Sequence, residues 1–153
     1  MEGAVTSKFA GPVIGKQPLI KVFFEVKAYK KSKMIDFLVD TGSIFSALSE
    51  KEATLMGIDC SELPEAEGEA IGFGGLFKTR MINRLVTLTF SSGKQEYRIN
   101  YNSGFKVICI PTDVTREIRE KLLRHTPSVL GMDILLANFK ICVDEQKVEL
   151  ELK

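Results

Sequence analysis

The stretch Phe37-Leu38-Val39-Asp40-Thr41-Gly42-Ser43 decides how this chain is read. Its three apolar residues predict a buried strand, and the strand ends in an acid, a hydroxyl and a glycine. Taking an unpaired carboxylate out of water costs on the order of several kcal/mol, so Asp40 needs either a partner or a task. Gly42 lets the backbone turn sharply and come close to another group. Thr41 supplies a short hydroxyl that can donate and accept. The plainer reading is a strand closed by an Asp-Thr-Gly turn, which is common in β proteins. The favoured one is an acid displayed from a rigid strand end, and the tripeptide alone leaves both open.

Outward from this stretch, the pattern is mostly β. Leu19 to Ala28 is rich in Val and Phe and predicts a strand, Lys30 to Lys33 a turn, and Met34 to Val39 the strand that delivers Asp40. Ile44, Phe45, Ala47 and Leu48 return the chain to the core. Ser49-Glu50-Lys51-Glu52 reads as an N-cap with acids in the first turn, opening a short helix that ends before Gly57. The polar run Glu62 to Glu69 reads as a loop. Ala70-Ile71-Gly72-Phe73-Gly74-Gly75-Leu76-Phe77-Lys78 predicts a hairpin with a glycine tip. A phosphate loop also uses glycines, but it has a different spacing and opens a helix, whereas Arg80 to Phe90 continues as a strand.

Tyr97 to Tyr101 and Lys106 to Ile110 are further strands. Pro111-Thr112-Asp113 opens a helix reaching about Arg124, whose narrow stripe of Val114, Ile118 and Leu122 marks it as a surface helix. Val129-Leu130-Gly131-Met132-Asp133-Ile134-Leu135-Leu136 reads as a short strand, a glycine and a short buried helix. Phe139 to Val143 and Lys147 to Leu152 close the chain as a hairpin. Residues 1–17 show little pattern and are expected to form a flexible arm, or an edge segment that orders on pairing, leaving 18–153 as one domain.

Composition narrows the function classes. The chain has 153 residues, 44% of them hydrophobic and 27% charged, with a net charge of +1, so no electrostatic footprint for nucleic acid or an anionic membrane stands out. No apolar run approaches the ~20 residues that span a bilayer. The N-terminal residues lack a signal-peptide core, which predicts a cytoplasmic protein. Cys60, Cys109 and Cys142 are widely spaced without a Cys-x-x-Cys, arguing against a disulfide framework or a zinc site. His125 is the one histidine and sits in a charged helical stretch, a poor setting for a Ser-His or Cys-His hydrolase.

Three pieces occur in order: an Asp-Thr-Gly after an apolar strand, a glycine-tipped hairpin, and a Leu-Gly-x-Asp-Ile-Leu turn and helix. Together they resemble the retropepsin-like (retroviral-type) aspartic proteases, and the tail hairpin is more like that of cellular and prokaryotic members. The resemblance implies a single-lobe acid protease fold, a closed β-barrel or sandwich with a flap hairpin and short helices. It implies catalytic residues Asp40, Thr41 and Gly42, and substrate-binding residues Ser43, Gly72, Phe73, Gly74 and Gly75, with no metal and no cofactor.

Such chemistry needs two acids, and the other near match, Asn102-Ser103-Gly104, has an amide in the acid's place. The expectation is therefore a homodimer contributing one Asp40 each, cleaving a peptide or protein bound in extended form, with no nucleic-acid or membrane partner. A non-cleaving dimeric peptide-binding module on the same fold is the alternative. Where retroviral enzymes pair an acid with an arginine, this chain has Ile44 and Met132, which are expected to touch. The final strand, Lys147 to Leu152, either builds a dimer sheet or covers its own core.

Overall fold

A computed structural model describes residues 7–72 and 75–153, with the backbone alone over 67–72, 75 and 76. Alternation of apolar and polar residues builds most of the strands. In β2 (Gln17–Val26) the side chains of Ile20, Val22, Phe24 and Val26 are buried, and in β3 (Lys31–Val39) those of Ile35, Phe37 and Val39 are. The two strands pair antiparallel from Leu19 opposite Leu38 to Val26 opposite Lys31. Between them a single 3-10 turn ends at Lys30 in the left-handed region.

The remaining elements are β1 (Lys8–Ile14), β4 (Ala47–Ser49), α1 (Glu50–Leu55), β5 (Glu65–Gly72), β6 (Gly75–Ile82), β7 (Val86–Ser92), β8 (Gln95–Tyr101) and β9 (Phe105–Cys109). After these come α2 (Arg116–His125), β10 (Ser128–Leu130), α3 (Met132–Asn138), β11 (Phe139–Val143) and β12 (Lys147–Leu152). Local chemistry sets the helix ends. The Ser49 hydroxyl accepts the Glu52 N–H at the start of α1, and Gly57 follows the helix with φ of 81°. The Thr115 hydroxyl accepts the Ile118 N–H at the start of α2, which buries none of its residues.

The strands form one mixed sheet in the order β11-β12-β1-β2-β3-β10-β4-β9-β6-β5, with β7 and β8 branching from β2. This sheet is open, not the closed barrel expected from the sequence: its path runs from β11 to β5 without joining. The branch arises because β2 is long. One of its edges takes β1 near Gln17 and β7 at Phe23 to Glu25, while the other edge takes β3. A layer of phenylalanines fills the interior. Phe24 meets Phe105 edge-on at 5.1 Å, and Phe90 meets Phe139 in the same way at 5.1 Å.

Four expectations are decided by the structure. Residues 8–14 are not a flexible arm but the segment ordered by pairing, and they lie inside the sheet rather than at its edge: β1 pairs with β12 and β2, and Phe9 is buried against Phe90 and Phe139. The acidic run from Glu65 onward is the first leg of the β5–β6 hairpin rather than a loop, because β6 supplies its hydrogen-bond partners. Cys60 and Cys109 form a disulfide, leaving Cys142 free and exposed. The fold brings together two cysteines that their spacing kept apart. Finally, both edges of β12 are occupied within the chain, by β1 and β11, and Val148 and Leu150 are fully buried. The last strand therefore covers its own core and offers no edge for a dimer sheet. Among the described residues no helix is long and apolar enough to cross a membrane.

Candidate active site

Asp40 leaves the C-terminal end of β3, where apolar Phe37 and Val39 anchor the strand in the core. Beside it runs β10, parallel to β3, with Ser128 opposite Phe37 and Leu130 opposite Val39. The ladder continues one step beyond the strand: the Asp40 N–H donates to the Leu130 carbonyl at 3.1 Å. The side chain is half-buried, and its Oδ1 accepts the Gly42 N–H at 2.9 Å. No hydrogen bond to Oδ2 is formed among the described residues. Thr41 and Gly42 are exposed, and a methyl group on Gly42 would stand 3.2 Å from Oδ1. The turn closes with the Ser43 N–H donating to the Asp40 carbonyl at 3.2 Å.

The rest of the loop is fastened to the start of α3. The Met132 N–H donates to the Ser43 carbonyl at 2.8 Å, and the Asp133 N–H to the Ile44 carbonyl at 3.1 Å. Gly131 makes this approach possible: a Cβ there would lie 2.5 Å from the Phe45 carbonyl carbon and oxygen. The Ser43 hydroxyl turns inward to the Phe45 carbonyl at 2.7 Å. Buried Ser46 is a junction. Its oxygen accepts the Gly131 N–H at 2.8 Å, and its hydroxyl donates to Asp133 Oδ1 at 2.7 Å. The Tyr101 hydroxyl donates to Asp133 Oδ2 at 2.9 Å. Partial burial pushes the Tyr101 pKa above its ordinary value, and the hydrogen bond to Asp133 and that residue's charge add to the rise.

A carboxylate stands at a strand end, one oxygen held by an amide, on a loop whose backbone is pinned by two later segments and whose outer edge faces solvent. Asp40, Thr41, Gly42 and Ser43 are brought together. The glycines of the hairpin lie on β5 and β6, where Gly72 pairs with Gly75 as the last rung. Phe73 and Gly74 lie outside the described residues. Main-chain bonds join the segments of Ile44 and Met132, and the Ile44 side chain is 83% exposed rather than packed into the core. Reading the sequence missed Ser46 and Tyr101 as supports. Ser46 and Asp133 lie 87 residues apart, so no local pattern announces the pair. Gly131 was visible as a glycine between strand and helix, but its function as a spacer for the Phe45 carbonyl was not.

No family model matches this sequence, and no curated protein does. Among solved structures, the chain is similar to a retropepsin-like aspartic protease from Rickettsia conorii, at 17% identity and a TM-score of 0.48, over 99% of this chain and 98% of that one. It is also similar to EIAV protease complexed with the inhibitor HBY-793, at 18% identity and a TM-score of 0.46, over 81% of this chain and 89% of that one.

Proposed function

We propose that this protein is an aspartic endopeptidase that works as a homodimer, with Asp40 of each copy forming one carboxylate pair. The observation that carries this reading is the setting of Asp40. A single acid ends a buried strand on a loop pinned through Leu130, Met132 and Asp133, with Thr41, Gly42 and Ile44 turned to solvent. A rigid loop with an exposed edge is what docking of an identical loop about a two-fold axis requires.

In the dimer, a water held between the two carboxylates attacks the peptide carbonyl. One carboxylate removes the water's proton, while the other, protonated, donates to the carbonyl oxygen. Two adjacent carboxylates do not both ionise cheaply, so they share one proton. Thr41 bonds across the two-fold axis, and Gly42 and Ser43 meet the substrate backbone. Gly72, Phe73, Gly74 and Gly75 form a flap that closes over a peptide lying extended in the cleft. No metal or organic cofactor enters this chemistry.

The test is incubation with a peptide library, read by mass spectrometry, beside sedimentation of the same sample. A dimer that cleaves, and whose Asp40→Asn form keeps the fold and dimer but not the cleavage, supports the proposal. Cleavage surviving in Asp40→Ala, or a chain that stays monomeric while cleaving, ends it. A dimer that binds peptides without cutting them would instead be the silent binding module.

A further inference from the structure

The Cys60–Cys109 disulfide sits at a mechanical junction. β6 pairs with β9 from Ile82 opposite Phe105 up to Lys78 opposite Cys109. Beyond Lys78, toward the tip, β5 is the one strand paired with β6 among the described residues. Cys109 therefore marks the rung at which the hairpin leaves the sheet. Cys60 begins the short 3-10 turn Cys60–Glu62 that leads into β5. That turn is tied to β6 from its other side: Arg80 donates to the Leu63 carbonyl at 2.7 Å and the Ser61 carbonyl at 3.3 Å, and the Met81 N–H donates to the Pro64 carbonyl at 2.9 Å. The disulfide closes this ring by fastening the entry to β5 onto β9. β9 in turn runs parallel to β4, which follows the Asp40 loop. The covalent bond thus spans the root of the hairpin and the sheet that carries Asp40.

The bond is buried but not sealed. Cys60 is 7% exposed and Cys109 5%, and a cavity of about 380 Å³ opens beside them. Lys78, Arg80 and Arg119 line it and favour an incoming thiolate, and the carboxylates of Glu50 and Asp59 partly offset them. Glu50 is held by Arg119 and by the Ile110 N–H.

We propose that Cys60–Cys109 is a redox-operated staple that fixes the root of the β5–β6 hairpin, and that its reduction loosens the hairpin and lowers cleavage. The effect on cleavage rests on the endopeptidase reading; the effect on the hairpin does not. The reductant is a dithiol. One of its thiolates attacks a sulfur of the pair, the S–S bond breaks, and the second thiol displaces the mixed disulfide. Cys60 and Cys109 leave as two thiols, gaining two electrons and two protons, and the dithiol leaves as its own disulfide.

The experiment uses the full chain carrying Cys142→Ser, so that the exposed thiol takes no part, poised in buffers of reduced and oxidised dithiothreitol. Alkylation and mass measurement give the redox state, and hydrogen exchange reads residues 65–82. The expected result is exchange about tenfold faster over the hairpin in the reduced chain, with far-UV dichroism unchanged, cleavage reduced, and both restored on reoxidation. Cys60→Ser/Cys109→Ser should behave as the reduced chain at every poise. If the serines destabilise the fold, Cys60→Ala/Cys109→Val takes their place.

Hairpin exchange equal within about twofold in the two states would overturn the proposal. So would thiols that stay unpaired under oxidising buffer, or a reduced pair that captures zinc together with Glu50 and thereby resists oxidation. A chain that cleaves nothing in either state, yet shows the exchange change, retains the staple and removes the endopeptidase. Asp40-dependent cleavage that ignores the poise, with unchanged exchange, does the reverse.

Discussion

Gly131→Ala tests the way α3 holds the Asp40 loop. The glycine has φ of −99° and ψ of −173°, an extended conformation open to alanine, so backbone strain is not the issue. Space is. The added methyl would sit 2.5 Å from the carbonyl carbon and oxygen of Phe45 and 2.8 Å from the Ser43 carbonyl oxygen. These are backbone atoms and cannot swing aside like a side chain, so the loop and the helix start must separate by about half an ångström or more.

Overpacking of this kind costs about 1–3 kcal/mol. Stretching the Met132-to-Ser43 and Asp133-to-Ile44 hydrogen bonds adds about 1 kcal/mol. A loss of about 2–4 kcal/mol lowers the melting temperature of a chain this size by roughly 5–15 °C. Because the Asp40 N–H bonds to Leu130, next to the altered residue, the carboxylate shifts too, and under the proposed endopeptidase function a shift approaching 1 Å should lower peptide cleavage by about a hundredfold. Calorimetry and a fluorogenic peptide assay read the two effects. Gly93→Ala is the control: it lies in open space at φ of 59°, so it strains one turn without touching the loop. A Gly131→Ala protein within about 0.5 kcal/mol of its parent and cleaving at the same rate would refute the spacer argument.

Three other outcomes are expected. Arg119→Ala removes the cation bound to Glu50, whose side chain is only 8% exposed, and leaves one amide to satisfy it. Since Arg119 itself is 41% exposed, the loss should be about 1–3 kcal/mol in urea unfolding, and Arg119→Lys should recover part of it. Thr79→Val replaces a buried hydroxyl that has no partner among the described residues, and should leave stability equal or raise it by about 1 kcal/mol, read from the unfolding midpoint. Tyr101→Phe should flatten the alkaline end of the stability profile. The folded-state pKa of Tyr101 is raised above 10.0, so its contribution is complete below that pH and is lost as pH rises through the folded value, a limb that unfolding measured in alkaline buffers should no longer show in the variant.

Much of the site's scaffold was legible because its signals are local. Apolar alternation marked β3, the Ser49 cap marked α1, and a glycine between Leu130 and Met132 separated β10 from α3. What escaped depended on partners far along the chain. β1 contains Gly11 and Pro12 and looks unlike a strand, and it becomes one because β12 pairs with it and Phe9 finds Phe90 and Phe139. The glutamates of β5 suggested a loop, and only β6 makes them a strand. Cys60 and Cys109 are 49 residues apart, and their meeting is a product of the fold. Ile44 looked like a core residue by type, yet it is left standing in water, a position no apolar pattern can distinguish from burial.

The parallel alignment of β10 on β3 has a consequence for how the protein is made. The segment that receives the Asp40 amide comes from the last quarter of the chain. While the ribosome is still holding residues 128–133, Asp40 hangs from a strand whose neighbour has not yet arrived. A nascent molecule therefore carries the acid but not its setting, and whatever the finished loop can do stays latent until that later segment has emerged and paired.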